Sequence, residues 1–443
     1  MQFQKFKSLL PVAALVALCG CSIFEKEKIS LDGERISVLD GETALQPDYA
    51  PGEVKVVLPA PYINTSWSQS GGNASHMMGH PSSDSKLKEL WSSDFGEGAS
   101  KRDFLIAAPV SAHKAVFTID ADGIVNAFRL DDGRKIWKRR LKPLVKDDSS
   151  TSLKGGGLAV FDKKVYATTG FGSVFALDMV TGKILWRYET GLPIRIAPTA
   201  ERGVLFVQTI DNKLIALNGV DGSVLWDYKS PSEETTLVGG ASPAYSPQQD
   251  TIVAAFSNGE LRAFKASTGS ALWSDVLVSR KRLNSPANIN AIKANPVIDG
   301  ATVYAVGNNN ILVAIDLRSG ARIWEREIGS TNQPWIAGKF MFVLSNNYDL
   351  FALEKTTGKI VWNTQIPLGQ TKEERVGVTA SGPILTSNRL LVATSNGYAF
   401  AISPYSGKIL GYIELSDGVS TAPIVVRQTA LFATEDADLT AYK

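Results

Sequence analysis

From Trp67 onward the chain is written as short apolar runs separated by tight-turn residues. The stretch from Ala197 to Trp226 shows the pattern. Ala197-Pro198-Thr199 opens one strand, and Gly203-Val204-Leu205-Phe206-Val207-Gln208 reads as a second. Lys213-Leu214-Ile215-Ala216-Leu217 is a third and Ser223-Val224-Leu225-Trp226 a fourth. Asp211-Asn212 and Asp221-Gly222 fall between them, where a hairpin needs residues that accept positive φ. Apolar runs this short, bounded by turn signals, predict strands rather than amphipathic helices.

This unit repeats in a fixed frame, an Ala, a Gly six residues on and a Trp four further. It occurs at Ala127/Gly133/Trp137, Ala176/Gly182/Trp186, Ala216/Gly222/Trp226, Ala263/Gly269/Trp273, Ala314/Gly320/Trp324 and Ala352/Gly358/Trp362. A seventh copy keeps Ala401 and Gly407 but has Gly411 in place of Trp. The copies start 38 to 51 residues apart. That period in strand-like sequence predicts a β-propeller, in which each unit buries its face on its neighbours. The Trp is expected to dock across the seam between blades, and the Ala to be small because the Trp packs beside it. Asp, Thr or Ser before each Gly can bond its own turn while the Gly takes the positive φ.

A second marker counts the blades. A small or polar residue and Pro open most first strands, at Ala108-Pro109, Ala197-Pro198, Ser242-Pro243, Asn295-Pro296, Gln333-Pro334, Gly382-Pro383 and Ala422-Pro423. Gly155-Gly156-Gly157 replaces it in the second unit, giving eight openings. The eighth unit runs out after Asp438-Leu439-Thr440-Ala441-Tyr442-Lys443, and Lys86-Leu87-Lys88-Glu89-Leu90-Trp91 supplies a fourth strand from the other end. The expected fold is all-β: an eight-bladed β-propeller of four-stranded blades over residues 67–443, its ring closed by pairing of N- and C-terminal strands, leaving no open edge.

The N-terminus follows a different rule. Lys5 and Lys7 precede a short apolar run, Leu9 to Leu18, too short to span a bilayer. Leu18-Cys19-Gly20-Cys21 resembles the bacterial lipobox, which implies a signal peptide over residues 1–20 and a lipid on Cys21. Ser22 then points to the outer membrane. Residues 21–66, with prolines at 47, 51, 59 and 61, read as a tether. Two alternating runs in it, Arg35 to Leu39 and Val54 to Leu58, are candidates to pair with the propeller or a partner. Loss of Cys19 with the signal would leave one thiol and no internal disulfide. Net charge is +2, and without Lys5 and Lys7 the charges balance at 44 each, which excludes the basic stripe of a nucleic-acid binder.

The repeat frame resembles that of quinoprotein (PQQ-like) propellers. Together with the lipobox and eight units, the chain is similar to the BamB family of outer-membrane assembly lipoproteins, over residues 18–443. That resemblance implies a non-catalytic scaffold without cofactor. It implies binding to the POTRA domains of BamA, association with other BAM lipoproteins and help in delivering unfolded outer-membrane protein precursors. It places the partner contact on two adjacent loops, at Leu237, Val238 and Gly239 and at Ala291 and Lys293. Val238 stands where the family pattern has Arg, and Ala291 and Lys293 where it has acids. Arg280, Lys281 and Arg282 could add a basic edge.

Other candidate chemistry has simpler structural explanations. Asp120-Ala121-Asp122-Gly123 begins like a calcium loop but lacks the later ligands, so a turn is expected. His76-Met77-Met78-Gly79-His80 has metal-binding spacing only on a helix, which Gly79 and Pro81 oppose; a solvated loop is expected. With His113 the only other histidine, Ser–His nucleophilic schemes lack a base. Lys138-Arg139-Arg140 reads as a solvated loop, and Pro334-Trp335 as core. Asn308-Asn309-Asn310 and Asn346-Asn347-Tyr348-Asp349 read as turns between second and third strands. The alternatives are a propeller serving another envelope complex, a glycan binder or a PQQ-dependent dehydrogenase.

Overall fold

The computed structural model describes residues 45–100, 105–144, 156–233, 237–277, 290–369 and 376–443. Cys21 and Arg280, Lys281 and Arg282 lie outside the described residues. From Gln46 to Lys443 the chain is one compact unit. Eight four-stranded antiparallel sheets make an eight-bladed propeller, as expected. Seven sheets are consecutive in sequence. The eighth joins Ile424–Val426, Thr429–Ala433 and Asp438–Tyr442 to Glu89–Asp94, so the two ends of the chain share a blade. Trp91 pairs with Ala441 in that register.

The frame has a direct physical cause. In the third blade, Phe206 pairs with Ala216 and Ala216 with Trp226. Two rings therefore flank one methyl group and approach to 5.9 Å between centroids. The same triple brings Phe117 to Trp137, Tyr166 to Trp186 and Phe342 to Trp362, at 5.9, 5.9 and 6.0 Å. A larger residue at the alanine would push the rings apart.

The indole also reaches the next blade. Trp226 Nε1 donates to the Ala266 carbonyl at 2.8 Å, and Trp273 Nε1 to Leu317 at 2.7 Å. Each ring lies on the frame glycine of that neighbour. A Cβ on Gly269 would sit 2.7 Å from Trp226, and one on Gly320 2.6 Å from Trp273. The glycine is thus required twice, for its φ of +74° and for the face it leaves bare. The sequence reading assigned it only the first role. Seven such contacts, from Trp91, Trp137, Trp186, Trp226, Trp273, Trp324 and Trp362, link the eighth blade round to the seventh. Gly411 also becomes intelligible. A tryptophan in its place would dock its indole on the turn between third and fourth strands of the eighth blade. There the fourth strand comes from the other end of the chain, so no such turn exists.

The described residues before the first blade are structured. Those from 46 on pack on the propeller rather than hang from it. Asp48 accepts from the Ile360 amide at 2.7 Å and pairs with Arg326 at 2.8 Å, and Val56 is buried in the core. Residues 64–84 then run once around the axis. Asn64 donates to Val425 of the eighth blade, and Trp67 exchanges two backbone bonds with Ser111 of the first. Ser68 accepts from Val160 of the second, and Gln69 bonds Ala200 of the third. Ala74 and Ser75 accept from Tyr245 and Ile298 of the fourth and fifth. Gly79 accepts from Trp335 of the sixth, Pro81 from Ser387 of the seventh, and Asp84 returns to Gln428 of the eighth.

This plug corrects the expected solvated loop. His76 and His80 are 2% and 4% exposed. His76 Nδ1 donates to the Pro296 carbonyl at 2.7 Å, and both ring nitrogens of His80 face carbonyls, those of Pro59 and Ser387. Composition alone read the segment as polar and irregular. It is polar because it meets eight strand ends, and irregular because it curves round an axis. Lys138, Arg139 and Arg140 also differ from expectation: they remain in the strand Lys135–Arg140. Arg139 bonds Gly182 of the next blade and Arg140 pairs with Asp122.

Candidate functional site: an axial funnel

The plug closes one end of the ring and leaves the other open. Above it lies a cavity of about 1000 Å³. Trp67, Ser70 and Gly71 form its floor, and Trp67 stacks on Trp335 with centroids 5.9 Å apart. Trp335 is buried, as expected for the Pro334-Trp335 pair. The walls are the openings of the innermost strands, where the Pro markers lie. The rim is made by the loops that cross from one blade to the next and by turns between second and third strands. Asn308-Asn309-Asn310 and Asn346-Asn347-Tyr348 occupy such turns.

Most polar groups in the funnel are already partnered. Asn295 accepts from Ser242 and donates to Ser70 and Gln333; Gln333 donates to the His76 carbonyl. Asn332 bonds Ala380 and Gly382, and Asn346 bonds Asn308. These amides stitch neighbouring blades together. Asp120, the calcium-like residue, likewise caps its own turn by accepting from Asp122 and Ile124.

Among the described residues, the charged lining residues are Arg195, Lys293 and Glu435. Arg195 and Lys293 sit on one side, on the loops entering the third and fifth blades, with Gly239 on the loop between. A Cβ on Gly239 would lie 3.6 Å from Lys293 Cε and 3.9 Å from the Arg195 carbonyl. Lys293 is open to solvent yet ringed by protein, and that desolvation holds its ammonium below the usual lysine range. Arg195 Nε is buried and finds no acceptor among the described residues. Glu435 stands across the funnel, where burial, then the charges of Asp417 and Asp436, push its carboxyl upward.

The structure brings together four of the partner residues expected from sequence. Val238 is 39% exposed beside Gly239, Leu237 is half-buried, and Lys293 adjoins them. Ala291 is buried beneath the same rim. Arg195 was missed, because it lies in a loop with no repeat signal. Its loop does precede the Ala197-Pro198 marker, as the other two rim loops precede theirs.

Tryptophan-docked seams, a ring closed by both ends of the chain and a blind axial funnel define a PQQ-like propeller, a class shared by enzymes and binding scaffolds. Solved structures match it: BamB from Moraxella catarrhalis, 17% identical with a TM-score of 0.65 over 81% of this chain and 98% of that one, and a europium-containing methanol dehydrogenase, 16% identical with a TM-score of 0.67 over 84% and 89%. These show the fold alone. The sequence is more discriminating, because the family described as outer membrane protein assembly factor BamB matches residues 88–364. The chain belongs to that family. It is similar to the outer membrane protein assembly factor BamB of Yersinia pestis, with 28% identity over 55% of this chain and 62% of the relative. The BamB of Vibrio cholerae is 29% identical over 80% and 87%. The chain thus spans less than two thirds of the Yersinia relative it matches.

Proposed function

We propose that this chain is a non-catalytic, lipid-anchored scaffold of the outer-membrane β-barrel assembly machinery. The anchor is Cys21. The crossover loops at Leu237–Gly239 and Lys293 dock the POTRA domains of BamA, beside other BAM lipoproteins, and the complex receives unfolded outer-membrane protein precursors. The observation that carries this reading is the convergence of those two loops, from different blades, on one open rim of the funnel. Membership of the BamB family supports the partner.

A scaffold rather than an enzyme is supported by the state of the histidines. His76 and His80 hold backbone carbonyls, and His113 lies on an exposed hairpin turn. None faces the funnel as a general base. The reading is tested by retrieving the periplasmic part of BamA with the purified chain. Leu237→Asp should weaken retrieval about tenfold or more, since it places a charge in an apolar contact. Retrieval by neither protein, or equal retrieval by both, defeats the reading or its location respectively.

A further inference from the structure

The funnel is electrically lopsided, and its two cations lack what its amides have. Asn295, Asn332, Gln333 and Asn346 are hydrogen-bonded within the protein, so they offer little to a sugar or other neutral polar ligand. Arg195 and Lys293 are different. Among the described residues neither has a carboxylate partner. A buried guanidinium Nε without an acceptor is a costly arrangement, and the solvent-exposed Lys293 ammonium on the same rim is free to pair. That cost is relieved when an anion arrives, and a guanidinium and an ammonium on one rim suit a carboxylate.

The surroundings narrow the choice. Val238 stands exposed on the loop between the two cations, and Ile196 packs against Gly240 beside Arg195. Gly239 has no side chain to shield the Lys293 stem, so the backbone there is open to close approach. Across the funnel, Glu435 with Asp417 and Asp436 repels a second negative charge. An anion entering the funnel is therefore directed to one side, with apolar contact available next to it.

We propose that this rim is a recognition site for a carboxylate side chain carried on an apolar, extended peptide segment of the partner, held between Arg195 and Lys293 with its apolar neighbours against Val238. The proposal rests on the scaffold reading and adds the chemistry that the partner must present.

The test uses the full chain and a fluorescent, end-blocked peptide of alternating valine and threonine with one central glutamate, together with its glutamine twin. By fluorescence anisotropy the glutamate peptide should bind about tenfold tighter. Lys293→Gln and Arg195→Gln should each erase most of that preference, while Arg134→Gln on an exposed perimeter turn should leave it intact. Lys293 is solvent-exposed, so its variant keeps the fold, and unchanged thermal melting checks this. Lys293→Glu should shift the preference to a lysine-bearing twin. Equal binding of the two peptides, or a preference that survives Lys293→Gln, overturns the proposal. So does displacement by equimolar inorganic phosphate, which would mark a general anion hole. If no peptide binds but BamA is still retrieved, the carboxylate site falls and the scaffold stands. If both fail, both fall.

Discussion

The perimeter and the axis of this ring are built on opposite principles. At the perimeter one solution is used seven times: an indole, an alanine beneath it and a glycine on the next blade. At the axis a single non-repeating strip meets each blade through a different atom, and the rim above it carries loops with no common sequence. Repetition gives stability with little information, since each seam needs only to match its neighbour. Recognition needs a surface where one side differs from the other. The funnel has that difference, with Arg195 and Lys293 facing Glu435.

Removing the closure should do most to break the perimeter. Deletion of Thr434–Lys443 takes away a strand paired on both sides and exposes two sheet edges. Cooperative unfolding should collapse into a broad transition by calorimetry; an unchanged melt would show that the ring does not depend on its shared blade. A single seam ranks next. Trp226→Ala should destabilise by roughly 3–5 kcal/mol in urea titration. Gly269→Ala should also be costly, because the methyl would enter the same ring from a residue at φ +74°. In the double variant the costs should fall well short of additive, since both remove one contact. Full additivity would mean the glycine serves only its turn.

The axis is probed by acid. Burial lowers the pKa of His76 from 6.5 to about 4, outweighing the bond to Pro296. Between those values the unfolded chain binds a proton that the native chain refuses, so stability present above pH 6.5 is lost as pH falls. The loss should approach about 3 kcal/mol near pH 4. His76→Asn suits the positive φ of this position, keeps a donor for Pro296 and removes the titration. Its stability should be flatter between pH 6.5 and 4 than that of the parent. Identical pH profiles would place the acid sensitivity elsewhere. The smallest of these effects is expected at Gly411→Trp. No turn waits to receive the indole, and the φ of +153° at this position strains any side chain, so the variant should lose about 1–2 kcal/mol rather than gain a seam. A gain comparable to the other seams would show that the eighth blade offers a dock after all.

Much of the perimeter was legible because its physics is local and periodic. The spacing of Ala, Gly and Trp follows from register within one blade, and the Pro markers do begin innermost strands. The docking role of glycine was not legible, since the ring that lies on Gly269 comes from Trp226 of another blade. The plug was missed for a related reason. His76 and His80 look solvated when only their sequence neighbours are counted, but their partners, Pro296 and Ser387, lie hundreds of residues away. At the rim, Leu237, Val238, Gly239 and Lys293 were found through resemblance and Arg195 was not. Its isolation is visible only once three loops are brought together.

The strip from Asn64 to Asp84 fixes the number of blades as well as plugging one end of the ring. Its successive bonds reach the eighth, first, second, third, fourth, fifth, sixth, seventh and again the eighth blade in chain order. A ring with one unit gained or lost by duplication or deletion would put every later contact one blade out of step. Repeat arrays expand and shrink easily, and here a short length of non-repeating backbone serves as the gauge that holds the count at eight.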